Sequence, residues 1–234
     1  EALAIGDFAT ANSGYAISIG SAVATGVKSI AIGTSTMTKD ESSVAIGNSA
    51  VVMKSHGIAI GTSTQAQDFG SVVIGRSAYA KGIAIGDGSF DTGGGVALGH
   101  GAKSQGSGIG IGWGAQSTSG ISLGNYATGS DGSVSIGIGS NAYDHSIAIG
   151  ESATANDTSS IAIGAGNTAT GWGATAIGKN VQITKERSTG LGWDLTVDQS
   201  GSTLVGYNSQ VHANQGTGLG STINITSAAQ YGTG

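Results

Sequence analysis

The chain has 234 residues, of which 44 are glycine and 10% are charged, and it contains neither proline nor cysteine. This composition is unlike that of an ordinary globular domain, and a chain without cysteine has no disulfides, zinc ribbons or thiol nucleophiles. The net charge of −5 comes from 14 acidic and 9 basic residues spread singly, so no basic stripe for nucleic acid is present. No apolar run is long enough for a membrane-spanning helix.

A short apolar repeat runs along almost the whole chain, in which two apolar residues flank one small residue and a glycine follows. Ile30-Ala31-Ile32-Gly33 is one copy. The closing glycines are Gly6, Gly20, Gly33, Gly47, Gly61, Gly75, Gly86, Gly99, Gly112, Gly124, Gly137, Gly150, Gly164, Gly178, Gly192, Gly206 and Gly220. Their mean spacing is about 13.4 residues, and a repeat of this regularity indicates a solenoid.

Each repeat predicts two short strands joined by turns. In residues 43–52, two stretches alternate at period two, and a glycine with two polar residues separates them. The glycine permits the left-handed backbone of a tight turn. Successive coils then stack as parallel strands, so the predicted fold class is all-β, a parallel β-roll solenoid of about 17 two-stranded coils with a period of about 14 residues.

Alternation puts the two apolar residues of each repeat on one face of the first strand and the small residue on the other. We expect the apolar pair to form the roll core, at Ile30, Ile32, Val44, Ile46, Ile58, Ile60, Ile147, Ile149, Ile161 and Ile163. An open strand face would tolerate Thr, Lys, Glu or Gln, so we expect the small residue to pack against further copies of the chain. These interface positions are Ala31, Ala45, Ala59, Ala84, Ala97, Ala148, Ala162 and Ala176. Simple drift of the repeat toward alanine is the alternative.

The repeats fall into two types along the chain. Residues 1–170 keep Ile or Val at the first apolar position in most copies, whereas residues 171–234 carry Thr there and larger side chains, such as Val181 and Ile183, on the second strand. The sequence therefore predicts a head-repeat domain over 1–170 and a variant domain of the same solenoid over 171–234.

Catalytic, cofactor and metal sites find no support in the motifs. His56, His100, His145 and His212 fall at different phases of the repeat and have no acidic or serine partner at a fixed spacing, which is typical of exposed turn histidines. The glycine-rich stretches precede no helical pattern, so they are not phosphate-binding loops. We predict no catalytic residue, no cofactor and no metal.

The position after the repeat glycine varies widely in chemistry, which indicates exposure to solvent. Large side chains at this position or the next are candidate ligand contacts. They are Trp113, Trp193, Tyr207, Phe8, Tyr126 and Arg76. The alternative for the aromatic residues is that they cover a rim between chains.

These repeats resemble the YadA-like head repeats of trimeric autotransporter adhesins, whose pattern is close to Ser-Val-Ala-Ile-Gly-x-x-Ala-x-Ala. The best copies span residues 29–33, 43–47, 146–150 and 160–164. The resemblance implies a left-handed roll, a parallel homotrimer and display on the surface of a Gram-negative bacterium. It also implies attachment to host matrix, host receptors or other surfaces, and autoaggregation. The family's neck, stalk and membrane anchor have no counterpart here, so we expect a fragment of a longer protein.

Three rival functions remain beside an adhesin head. A passive spacer within a surface fibre has the same repeats, and the sequence does not separate the two. A hexapeptide-repeat acyltransferase needs an apolar residue every six positions and three faces per coil, whereas two strands fit between successive glycines here. An ice-binding solenoid needs a flat Thr-x-Thr ladder, which the stretch from Thr62 to Thr64 begins but does not continue.

Overall fold

A computed structural model describes residues 1–226, and residues 227–234 of the predicted second domain lie outside this described part. Within residues 1–226 no helix is long and apolar enough to cross a membrane. Two compact units divide the chain, Glu1–Ala115 and Gln116–Gly234. This division reflects packing, whereas the predicted boundary at residue 170 concerns repeat type and stays a prediction.

The first unit contains fifteen strands, most of them two or three residues long. They are β1 (Leu3–Ile5), β2 (Thr10–Ala11), β3 (Ile17–Ala24), β4 (Ile30–Thr38), β5 (Val44–Asn48), β6 (Val51–Val52), β7 (Ile58–Ile60), β8 (Gln65–Ala66), β9 (Val72–Ile74), β10 (Tyr79–Ala80), β11 (Ile83–Ile85), β12 (Phe90–Asp91), β13 (Val96–Leu98), β14 (Lys103–Gln105) and β15 (Ile109–Ile111). In β3 and β4 the two strands of one coil run together without a break.

The described part of the second unit contains fourteen strands. They are β16 (Gln116–Thr118), β17 (Ile121–Leu123), β18 (Thr128–Gly129), β19 (Val134–Ile136), β20 (Asn141–Ala142), β21 (Ile147–Ile149), β22 (Thr154–Ala155), β23 (Ile161–Ile163), β24 (Thr168–Ala169), β25 (Thr175–Ile183), β26 (Thr189–Val197), β27 (Thr203–Val211), β28 (Thr217–Ser221) and β29 (Asn224–Ile225).

Each unit is a parallel β-solenoid, in which every strand pairs with the equivalent strand of the next coil. Strand β4 pairs with β5 so that Ala31 lies beside Ala45 and Gly33 beside Gly47, and β25 pairs with β26 in the same way. The chain forms about 16 turns with a period of about 14 residues. The predicted all-β solenoid with two strands per coil is therefore confirmed.

The assignment of the inner and outer faces was wrong, because the small residue of each repeat lies inside the roll and the apolar pair lies outside. In β5, Ala45 is fully buried while Val44 and Ile46 are partly exposed. The same reversal holds along the chain. The positions predicted as interface, Ala31, Ala45, Ala59, Ala84, Ala97, Ala148, Ala162 and Ala176, are all completely buried within the chain. The positions predicted as core, Ile30, Ile32, Val44, Ile46, Ile58, Ile60, Ile147, Ile149, Ile161 and Ile163, are all only partly buried.

The narrow interior explains the reversal. The inward residues of the second strand, such as Ala50 and Val52, share the interior with Ala45, and all three are fully buried. If the strand faced the other way, Val44 and Ile46 would occupy the space that now holds Ala45. They would overfill an interior that is already closely packed. Where the second strand becomes larger, as at Leu195 and Val197, the facing residue shrinks to Gly190, where an added Cβ would lie 2.7 Å from Val181 Cγ1.

The shortest repeat has its own support. The connection after β10 has only Lys81 and Gly82, and the buried carboxylate of Asp91 accepts a hydrogen bond from Gly82 N at 2.7 Å. The same carboxylate accepts hydrogen bonds from Gly94 N at 3.2 Å and Gly95 N at 3.0 Å. Charge-assisted bonds of this kind satisfy the backbone donor of Gly82 in the shortened turn and those of Gly94 and Gly95 in the turn of the next coil.

We predict that Ala59→Leu destabilises the fold by about 1–3 kcal/mol, because the added atoms have no room inside the roll. Denaturant-induced unfolding measures the effect. Gln65→Leu is the matched control, since Gln65 lies on the same coil but faces outward and is exposed. If Ala59→Leu left the stability unchanged but abolished self-association, the small residues would lie at an interface between chains. That result would contradict their placement inside the roll.

Candidate functional site

In each unit the candidate ligand contacts lie along one edge, which we call the first edge and define as the two residues after each repeat glycine. The second of these two residues usually adopts a left-handed backbone, as in Phe8 with φ of 62° and Asn180 with φ of 53°. This conformation reverses the chain and directs both side chains away from the interior. The first edge is therefore a ladder of exposed side chains with one step per coil.

The structure brings two of the predicted contact residues together. Trp193 and Tyr207 occupy equivalent positions on β26 and β27, and their ring centroids are 5.5 Å apart in an edge-to-face arrangement. The Lys179 ammonium lies 5.5 Å from the Trp193 ring centroid. Both rings remain 49% exposed, so Lys179, Trp193 and Tyr207 form a cationic and aromatic surface that a partner can reach.

The other predicted contacts lie on the first edge but not in this cluster. In the first unit, Phe8 is 87% exposed, Arg76 lies five turns further along, and Trp113 packs edge-to-face against His100 at 5.6 Å. In the second unit, Tyr126 is exposed and has a φ of 57°. The edge thus presents separate aromatic points within each unit rather than one continuous pocket.

Arg76 is engaged by its neighbour on the next coil. Its Nη2 donates a hydrogen bond to Asp87 Oδ2 at 2.5 Å and its Nε donates to Asp87 Oδ1 at 3.3 Å. Hydrogen bonding to Arg76 lowers the pKa of the Asp87 carboxyl, and the same bond raises the pKa of Arg76. The pair adds little to stability because the Arg76 side chain is largely exposed to solvent and the Asp87 side chain is partly exposed.

An apolar surface that the sequence did not predict lies on the outward face of the second strands. Tyr79 and Phe90 stack there on adjacent coils, with centroids 5.1 Å apart and planes inclined by 23°. Val23, Met37 and Val51 occupy equivalent positions on earlier coils. The alternation of the second strand could have revealed this surface. Each of these residues lies between two residues that face inward, as Tyr79 lies between Ala78 and Ala80.

The sequence analysis also left out interactions on the opposite edge, which we call the second edge and define as the turns that lead into each apolar triplet. His56 packs against Phe69 at 5.0 Å. The Arg187 guanidinium lies 5.1 Å from the ring centroid of Trp172, one coil earlier. Aromatic and cationic side chains therefore project from both edges.

Two of the histidines contact an acidic side chain, although at different separations along the chain. His212 Nδ1 lies 2.6 Å from Asp198 Oδ2 and Nε2 lies 3.0 Å from Gln210 Oε1. His145 Nδ1 lies 2.8 Å from Asp144 Oδ1. The Asp198 and His212 pair spans one coil of 14 residues, which is also the spacing of Gly192 and Gly206. The second ring nitrogen of His212 contacts the Gln210 amide rather than a hydroxyl, so His212 is not arranged to activate a nucleophile. Among residues 1–226, no group of three or more metal-ligating side chains lies close enough to hold an ion.

The outward residues of the first strands form a broad apolar face, which we call the apolar face. Two ladders run side by side on it in each unit. In the first unit one ladder joins Ile30, Val44, Ile58 and Val72, and the other joins Ile32, Ile46, Ile60 and Ile74. In the second unit the ladders join Val134, Ile147 and Ile161, and Ile136, Ile149 and Ile163. Of the residues named here, Ile74 is 36% exposed and the others are partly buried in the single chain.

The two-stranded coils, the buried small residues and the projecting turns define a β-solenoid repeat protein. Residues 24–50, 144–167 and 158–180 match the model of the YadA head domain repeat. These segments of the chain match YadA head domain repeats, whose adhesin family is non-enzymatic. The resemblance seen in the sequence is confirmed over these segments.

Comparison with solved structures finds the collagen-binding domain of the Yersinia adhesin YadA. That domain is 19% identical to the chain, with coverage of 70% of this chain and 80% of the other, and the TM-score is 0.27. Because this TM-score is low, the assignment to YadA head domain repeats depends on the match to the repeat model. No curated protein matches the chain.

We predict that Arg76→Gln returns the pKa of Asp87 toward its ordinary range, because the hydrogen bond from Arg76 is the largest cause of its depression. Since the folded-state pKa of Asp87 is lowered, the contribution of the pair is present above the ordinary aspartate pKa and is lost as the pH falls through the folded value. A pH titration of carbon-13-labelled aspartate by NMR measures the change. Asp40 is the internal control, because backbone hydrogen bonding at Glu41 is the main cause of its lowered pKa. An Asp87 pKa that does not move would contradict the assignment.

Proposed function

We propose that this chain is the head of a bacterial surface adhesin, acts as a parallel homotrimer of left-handed rolls and attaches to host matrix, host receptors or other surfaces. The match to YadA head domain repeats is the observation that carries the proposal. The display of the head on a Gram-negative cell surface and its role in autoaggregation are part of the same proposal.

The apolar face supports self-association, although through residues other than those the sequence analysis selected. Ile46 and Ile60 lie in register on adjacent coils, and the ladders around them continue over successive coils. Soluble monomers rarely leave so large an apolar area open to water. Packing of the apolar faces of three chains around one axis would bury the ladders, and the alanines would then act only as roll core.

The first edge supports attachment through many weak contacts. A trimer repeats each exposed side chain of this edge three times, and several contacts made at once bind more tightly than each contact alone. Exposed tryptophan and tyrosine are also frequent at the energetic centres of protein interfaces. The cluster of Lys179, Trp193 and Tyr207 is the part of the edge where such residues lie in contact with one another.

We predict that the double substitution Ile46→Lys and Ile60→Lys converts the trimer into a monomer, because two buried and unpaired charges per chain would disrupt the packed face. Light scattering should give a mass near 22.6 kDa instead of three times this value. Val51→Lys is the control, since Val51 faces outward on the opposite strand. If the wild-type chain is a folded monomer at low concentration, the trimer proposal is wrong.

We predict that Trp113→Ala with Trp193→Ala weakens attachment by about tenfold or more, as the loss of two interface aromatics would. Binding of the trimer to a panel of immobilised matrix proteins, including collagen, and to host cells measures the effect. Tyr15→Ala is the control, because Tyr15 is an exposed aromatic residue outside the first edge. If wild-type trimers bind none of these surfaces, a passive spacer is the better description.

A further inference from the structure

The second edge of the second unit contains a groove of about 460 Å³. Three successive turns form it, and backbone hydrogen bonds hold them in register, from Gly201 N to Glu186 O at 3.1 Å and from Gln215 N to Ser200 O at 3.0 Å. The middle turn carries only Ser200 and Gly201, whereas larger residues lie on both sides. Ser200 and Gly201 form the floor of the groove, and their small size leaves open space between the larger residues of the neighbouring turns.

The walls of the groove carry complementary polar groups. Glu186 and Arg187 line one side, and Asn214 and Gln215 line the other. Together they supply a carboxylate acceptor, a planar guanidinium donor and two amides that both donate and accept. A volume in the range of about 300–1,000 Å³ suits a small ligand, and this lining suits a ligand rich in hydroxyl groups.

Trp172 adds an apolar platform beside the groove. It lies one coil before Arg187, is 46% exposed, and holds the guanidinium over its ring at 5.1 Å. None of the ion pairs found in residues 1–226 involves Arg187, so its hydrogen-bond donors can reach a ligand. A sugar ring presents both features that such a site needs, namely an apolar C–H face for an aromatic ring and hydroxyl groups for amides and guanidinium.

We propose that this groove is a glycan-binding site that takes one or two sugar units. Glu186 and Arg187 form one side of the site, with Trp172 behind Arg187 on the preceding coil, and Asn214 and Gln215 bind hydroxyl groups from the other side. The site is separate from the first edge, so its failure would leave the proposed attachment through Trp113 and Trp193 intact, and the reverse also holds.

Gly201 allows a sharp test. Its φ is +66°, a conformation that asparagine tolerates better than most residues, and an added Cβ would meet only Gln215 Cγ at an ordinary 3.6 Å. Gly201→Asn therefore fills the floor without forcing the turn to move. Gly70→Asn is the matched control, because Gly70 lies in a second-edge turn of the first unit, has a φ of +67° and has open space around it.

The experiment applies the complete chain to a printed array of neutral, sialylated and uronic acid-containing oligosaccharides, and calorimetry follows with each oligosaccharide that binds. We expect Gly201→Asn to weaken binding by about tenfold or more, and Gly70→Asn to leave it within about twofold. Arg187→Lys keeps the charge but loses the planar guanidinium, so it should weaken binding while the unfolding curve stays that of the wild type. Absence of binding to every oligosaccharide, or binding that Gly201→Asn does not change, would overturn the proposal.

Discussion

The narrow space between the two strands of each coil is the constraint on which the rest of the structure depends. It holds one small residue from the first strand and two inward residues from the second, as with Ala45, Ala50 and Val52. Close packing leaves no room for more. The larger apolar residues must therefore lie outside, so the surface of the solenoid carries hydrophobic groups that a globular domain would bury.

This constraint divides the surface into regions with different tasks. The first-strand face carries two apolar ladders and is suited to pack against further copies. The two edges carry residues that contribute little to the interior and vary freely in chemistry, from the Arg76 and Asp87 pair to the contact of Trp193 with Tyr207. Within each unit the stacked coils hold these variable residues at regular intervals, which gives a preformed arrangement of side chains.

Stacking places a second demand on the sequence at the repeat glycine. Gly33 has a φ of +129°, and a Cβ there would lie 1.8 Å from Gly47 O of the next coil. Both the backbone angle and the approach of the next coil exclude a side chain. The glycine signal in the sequence thus reports contact between coils as well as the turn within one coil, which is why it remains regular while neighbouring positions change.

The amino-acid sequence by itself determined the solenoid, its period, its two strands per coil and the edge on which Trp113, Trp193 and Tyr207 lie, because these follow from spacing and alternation. It did not determine which face of the first strand points inward. Alternation puts Ala31 on one face of the strand and Ile30 and Ile32 on the other, but it does not say which face points inward. The width of the folded roll decides this, because the interior has room only for the small residue. The contact of Arg187 with Trp172 between coils likewise required the tertiary structure. These two residues lie about one period apart, and the local coil length decides which side chains of the two turns meet.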